Sequence, residues 1–158
     1  IVIQTPKNDT EFVTLDGIKR KILKEDLLIC DGSGAIALAG IMGGANSEVK
    51  SDTTTIVLES ACFNPIAIRR TAKRLGLASE SSRRFERGVD PNGTIYNLNK
   101  LTELIIKLAG GEPTVDWIDI YPKKFKPLKV RFSAGDVNKL LGTDIKEIEI
   151  KKFILKQT

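Results

Sequence analysis

Four short stretches of this chain carry groups that could do chemistry. The first is Gly40-Ile41-Met42-Gly43-Gly44-Ala45-Asn46. Adjacent glycines, here Gly43 and Gly44, let a backbone approach a ligand closely and aim N–H groups at it; they equally suit a strained turn between strands. The second is Glu59, which closes the run Thr55-Ile56-Val57-Leu58-Glu59-Ser60. A carboxylate at the end of an apolar strand is often half-buried and needs a partner. A ligand hydroxyl would serve, and so would a salt bridge or a turn toward water. The third is Leu77-Ala78-Ser79-Glu80-Ser81-Ser82, whose small hydroxyl side chains would line a pocket. Its plainer reading makes Ser79 or Ser81 the cap of a helix holding Arg83 and Arg84. The fourth is the basic set Arg69, Arg70, Lys73, Arg74, Arg83, Arg84 and Arg87, whose heads suit phosphates. Against that stands a solvated helix face with internal pairing to Glu80, Glu86 and Asp90.

These residues need elements to position them. Residues 1–60 read as strands and turns: Ile1–Gln4, Glu11–Leu15 before the turn signal Asp16-Gly17, Leu27–Cys30, Ala35–Ile41 and Thr54–Leu58. The period changes at Asn64-Pro65, a helix cap followed by a proline suited to the first turn. From Ile66 to Leu75 the residues Ile68, Ala72 and Leu75 share one face and the cations the other, with Gly76 as the stop. Asp90-Pro91 opens a further helix with the stripe Ile95, Leu98, Leu101, Ile105 and Leu108, ended by Gly110-Gly111. Val115–Tyr121 reads as a strand, Pro122–Pro127 as a linker and Lys129–Phe132 as another strand. Ser133 caps a short helix closed by Gly142, and one more helix begins near Asp144.

The chain has 158 residues, 41% hydrophobic and 28% charged, the balance of a globular protein. No apolar run approaches the roughly 20 residues that span a bilayer, and no signal-peptide pattern opens the chain. Ile1 in first place, a single methionine at Met42 and a C-terminal run that reads as an unfinished helix suggest a piece of a longer polypeptide. Two cysteines, Cys30 and Cys62, with no histidine leave no usual four-ligand zinc site and no Ser-His-Asp or Cys-His site in this stretch. They are read as reduced thiols of a cytosolic protein. The net charge of +5 is mild for a nucleic-acid binder, so its concentration between Arg69 and Arg87 matters more than its size. No phosphate loop, dinucleotide fingerprint or paired acid site is present.

The order of the motifs is more specific than any one of them. Leu38-Ala39-Gly40-Ile41-Met42-Gly43-Gly44 precedes Val57-Leu58-Glu59-Ser60-Ala61, Phe63, Pro65 and Ile68-Arg69. Then follow Leu75-Gly76-Leu77, Ser79-Glu80-Ser81-Ser82 and Arg84-Phe85-Glu86-Arg87-Gly88-Val89-Asp90-Pro91. This series resembles the tRNA-editing domain of the β subunit of bacterial-type phenylalanine–tRNA ligases over roughly residues 1–121. Val137-Asn138 and Leu140-Leu141-Gly142 resemble the start of the small helical domain that follows it in that family.

The resemblance implies an α/β (mixed α+β) fold, a three-layer sandwich of β-sheets and helices, with the start of a small helical domain at the C-terminus. The domains would be residues 1–121 for editing, 122–128 for a linker and 129–158 for the incomplete helical domain. It implies a pocket that takes the aminoacyl end of tRNA and hydrolyses mischarged tyrosyl-tRNA. Tyrosine differs from phenylalanine by one hydroxyl, which a ligation pocket rejects imperfectly, so a second site is useful. Carried over by position, Glu59 reads the tyrosine hydroxyl, and Gly43, with Gly44 beside it, leaves room for the ring. Ser79 and Ser81 fall where the family has small residues, commonly Thr and Ala, so Ser81 is a departure. A pocket histidine that the family places upstream of residue 1 is a second. Arg69, Arg70, Lys73, Arg74 and Arg83 are the tRNA-binding candidates. No protein nucleophile is needed: a positioned water and the ribose hydroxyl act on an activated ester. This stretch is expected to hold no cofactor or metal, while the whole ligase uses ATP and magnesium. The expected partners are tRNA(Phe) and a catalytic α subunit, in a heterotetramer of two α and two β chains, in the cytoplasm, with no membrane. The alternatives are a tRNA- or subunit-binding module without hydrolysis, and a free-standing deacylase or cyclic-dipeptide-type enzyme.

Overall fold

The structure is a computed structural model and describes residues 1–114, 117–126 and 128–156. It is a mixed α/β fold and divides into two compact units, Ile1–Tyr121 and Pro122–Thr158.

In the first unit four short strands form an antiparallel sheet in the order β1-β4-β5-β6. They are β1 (Val2–Gln4), β4 (Leu28–Cys30), β5 (Ala35–Leu38) and β6 (Met42–Gly43). The strands β2 (Thr10–Val13) and β3 (Lys19–Ile22) make a separate antiparallel hairpin. Asp16-Gly17 turns it, with Gly17 at φ +76°. The hairpin reaches the sheet through a bridge between Thr14 and Gly44 and a hydrogen bond from the Leu15 N–H to the Gly43 carbonyl, 3.0 Å.

Helix α1 (Pro65–Leu75) starts where the sequence pattern places it. The Asn64 side chain accepts from the N–H groups of Ile66 and Ala67, and Gly76 ends the helix at φ +64°. Ile68 and Ala72 enter a core of Phe12, Ile22, Leu28, Leu38, Ile41 and Phe63. Burying Ile68 alone contributes on the order of 2–3 kcal/mol. Two polar ties fix the same helix to the hairpin side. Asp26, 1% exposed, accepts from the Thr71 hydroxyl at 2.6 Å and pairs with Arg74. Arg20 donates to the Leu75 carbonyl at 3.3 Å and to the buried Thr14 hydroxyl at 2.9 Å. Helix α2 (Glu80–Phe85) and helix α3 (Thr94–Ala109) follow. A 3₁₀ turn at Pro91–Gly93 occupies the expected first turn of α3. The predicted stripe on α3 is only half-covered at Ile95, Leu98 and Ile105, and Leu101 and Leu108 are exposed.

In the second unit Ser133 and Asp136 form a capping box at the start of α4 (Ala134–Leu141), and Gly142 closes it at φ +67°. The Asn138 carboxamide bonds both the N–H and the carbonyl of Ile145, which sets the turn into α5 (Glu147–Leu155).

Two expected strands do not form, and a third lies partly outside the described residues. Residues 54–58 are irregular and mostly exposed, with Val57 76% open. Their β-branched composition favours a strand, but a strand needs a ladder partner, and no described strand pairs with them. The same reason applies to Lys129–Phe132, where apolar and basic residues alternate without a neighbouring strand. Of the expected strand at 115–121, Val115 and Asp116 lie outside the described residues, and 117–121 are irregular.

Candidate functional site

Two of the four stretches, the glycine run and the serine stretch, meet at the turn between β5 and β6. Gly40 occupies it at φ +67°, a conformation that costs any other L-residue steric energy. A β-carbon there would stand 2.9 Å from Cδ2 of Phe63 and 3.2 Å from both Cδ2 of Phe85 and Cδ1 of Ile68. The rings of Phe63 and Phe85 meet at 5.0 Å between centroids, tilted by 54°. Phe63 arrives from the segment that carries Glu59, and Phe85 arrives from α2.

The serine stretch is tied to the same turn. Ser79 caps α2 by accepting the Ser82 N–H at 3.0 Å. Its hydroxyl also donates to the Ile41 carbonyl at 2.7 Å. Ser81 donates to the Gly40 carbonyl at 3.0 Å. The cap reading of this stretch holds for Ser79, and the same hydroxyl serves the helix and the turn together. A serine can cap with its lone pair and donate its one proton elsewhere.

Gly43 and Gly44 sit just beyond, with less free backbone than a bare pair of glycines suggests. The Gly44 N–H donates to the Ile36 carbonyl at 2.8 Å, and the Gly43 carbonyl accepts from Leu15. A β-carbon on Gly44 would come within 2.5 Å of Phe12 and 2.8 Å of the Ile36 carbonyl oxygen. On Gly43 it would press against the half-exposed Leu15 at 3.1 Å.

Glu59 lies in the irregular segment ahead of Phe63, so strand alternation does not set its direction. More than a third of it is open to solvent, yet protein packed along one side pushes its carboxyl above the ordinary glutamate range by desolvation. Among the described residues it has neither a hydrogen-bond nor an ion-pair partner. An open groove of about 650 Å³ runs elsewhere in this unit, between Gln4, Glu11, Cys30 and Asn46. None of Glu59, Gly43, Gly44, Ser79 and Ser81 lines it.

Six of the seven basic residues divide into two groups. Arg74 turns inward to Asp26 and to the Lys21 carbonyl. Arg83 and Arg84 both reach Glu80, at 3.3 and 3.8 Å. Arg69, Arg70 and Lys73 stand exposed on the outer face of α1 without an acidic partner among the described residues. Cys30 is buried and Cys62 exposed, both as free thiols. No helix among the described residues is long and apolar enough to cross a membrane.

Sequence reading passed over Gly40, Phe63 and Phe85 as a unit, and over Arg20 and Asp26 altogether. All three members of the unit stand in the motif series, but nothing in their spacing says that they touch. Asp26 has no local signal, because its partners Thr71 and Arg74 are 45 and 48 residues away.

A glycine turn stacked on two phenylalanines and held by two serine hydroxyls is the geometry in hand, and residues 1–110 match the B3/4 domain family. The chain belongs to that family. It is similar over nearly all its length to phenylalanine–tRNA ligase beta subunits. That of Desulfotalea psychrophila is 49% identical over 98% of this chain, and that of Syntrophotalea carbinolica 46% over 98%. That of Thermotoga maritima is 45% identical over 93%. The chain spans 19% of the length of each of these relatives.

Proposed function

We propose that this chain is the editing portion of a phenylalanine–tRNA ligase β subunit and hydrolyses tRNA mischarged with tyrosine. The observation that carries the reading is the tie of the serine stretch to the glycine turn at Gly40 and Ile41, with Phe63, four residues beyond Glu59, packed against Gly40. The likeness to ligase β subunits supplies the setting.

In this reading Glu59 is the discriminating group. Its partly desolvated, unpartnered carboxylate accepts a hydrogen bond from the tyrosine hydroxyl. A phenylalanyl end would leave it unpaired, at a cost of about 1–3 kcal/mol or more for a charged acceptor. That corresponds to roughly fivefold to 160-fold selectivity. Water attacks the ester carbonyl, and the ribose hydroxyl of the tRNA terminus orients it; the ester C–O bond breaks to give tyrosine and free tRNA. Arg69, Arg70 and Lys73 meet backbone phosphates, the guanidinium groups as forked donors and the lysine as a point charge. ATP and magnesium serve the ligation of phenylalanine to tRNA(Phe), which this reading assigns to a partner α subunit, and no editing step runs through them.

One observation favours the rival reading of a tRNA- or subunit-binding module: the groove between Gln4 and Asn46 is not lined by Glu59. Deacylation by the intact ligase separates the two. Tyrosyl-tRNA released to free tRNA faster than phenylalanyl-tRNA supports editing. Tight binding of both without hydrolysis contradicts it.

A further inference from the structure

Resting on that editing reading, we infer that Ser79 is a positioning residue: its hydroxyl fixes the Gly40–Ile41 turn, and so the glycine wall of the pocket, against α2. A serine hydroxyl has one proton to give. Here it lies on the Ile41 carbonyl at 2.7 Å, while a lone pair takes the Ser82 N–H at 3.0 Å. With its proton committed, Ser79 cannot donate to a bound ester without releasing the turn. The carbonyl that it holds belongs to the residue directly before β6. From there Met42 leads to Gly43 and Gly44, which are pinned in turn to Leu15 and Ile36. A shift at Ile41 is therefore passed to the glycine pair through one intervening residue, Met42. Ser81 reinforces the contact one residue earlier, on the Gly40 carbonyl at 3.0 Å.

Capping α2 and holding the turn are separable by chemistry. Threonine at position 79 keeps both, since it can accept and donate. Aspartate keeps the cap, because it is a good N-cap acceptor, but when ionised it has no proton for Ile41. Alanine loses both. The test compares Ser79→Thr, Ser79→Asp and Ser79→Ala in the intact ligase, with tyrosyl-tRNA as substrate. Ser79→Thr is expected to deacylate like the parent. Ser79→Asp and Ser79→Ala are expected to lose about tenfold in kcat, the size of one well-placed hydrogen bond, with KM within about twofold. Amide exchange in the peptide spanning residues 38–44 is expected to quicken in both.

Deacylation and exchange in Ser79→Asp that both match the parent would overturn the inference, because capping alone would then suffice. If the parent ligase itself does not release tyrosine, the editing reading fails on its own. The exchange measurement then decides the role of Ser79: quickening in Ser79→Asp supports the positioning role, and parent-like protection overturns it.

Discussion

Replacing Gly40 by alanine tests the geometry on which the site depends, and Gly17 supplies the control. Both glycines have positive φ, +67° and +76°, so alanine at either meets the same left-handed strain of roughly 1–2 kcal/mol. Gly17 has nothing within 4 Å of the added methyl. At Gly40 the methyl would meet Phe63 at 2.9 Å and Ile68 and Phe85 at 3.2 Å. Phe63 is 6% exposed and Ile68 1%, so neither can swing aside, and only the half-buried Phe85 has room to yield. Overpacking of this kind adds about 1–3 kcal/mol. Gly17→Ala should therefore cost about 1–2 kcal/mol and Gly40→Ala about 2–5 kcal/mol by the same addition. Both positions lie in the first compact unit, so urea unfolding followed by circular dichroism compares them on one transition. If Gly40→Ala costs no more than Gly17→Ala, Phe63 and Ile68 do not press on the turn, and the assembly of the site described above is wrong.

The outer face of α1 should set the salt dependence of tRNA binding. Neutralising Arg69, Arg70 and Lys73 together should flatten the slope of log affinity against log salt by about two to three. Arg74→Gln should leave that slope unchanged and instead lower stability in urea, since Arg74 faces the buried Asp26; a slope change from Arg74→Gln alone would contradict the division. Glu59 gives a pH signature. Desolvation raises its carboxyl in the folded chain, so its favourable contribution is complete below the ordinary glutamate range and lost as pH rises through the raised value. Relative to Glu59→Gln, wild-type stability should accordingly improve as pH falls from neutral toward 4, and parallel stability curves for the two would count against the desolvation.

Local signals in the sequence were sufficient where structure is local. Asn64, Pro65 and Gly76 bound α1 because caps and stops act within a few residues. Ser79 and Ser133 are caps for the same reason. Residues 54–58 have a strand's composition without forming one, because β-propensity describes a side chain's fit to a sheet and cannot supply the neighbouring strand. In the site, the residue types of the glycine turn and the serine stretch were visible, but their contact was not. Ser79 and Ile41 are 38 residues apart, and they meet where Phe63, Ile68 and Phe85 pack around Gly40. The cations were equally visible, and so was the pairing of Arg83 and Arg84 with the nearby Glu80; the inward turn of Arg74 was not, because Asp26 is distant from it in sequence.

The central claim is that one carboxylate reads one hydroxyl. The direct measurement is the ratio of deacylation rates for tyrosyl-tRNA and phenylalanyl-tRNA by the intact ligase, with Glu59 and with Glu59→Ala. The account predicts that alanine lowers the preference for tyrosyl-tRNA by about tenfold or more, the size of a hydrogen bond to a charged acceptor. An unchanged ratio, with tyrosyl-tRNA still cleared at the parent rate, would contradict it.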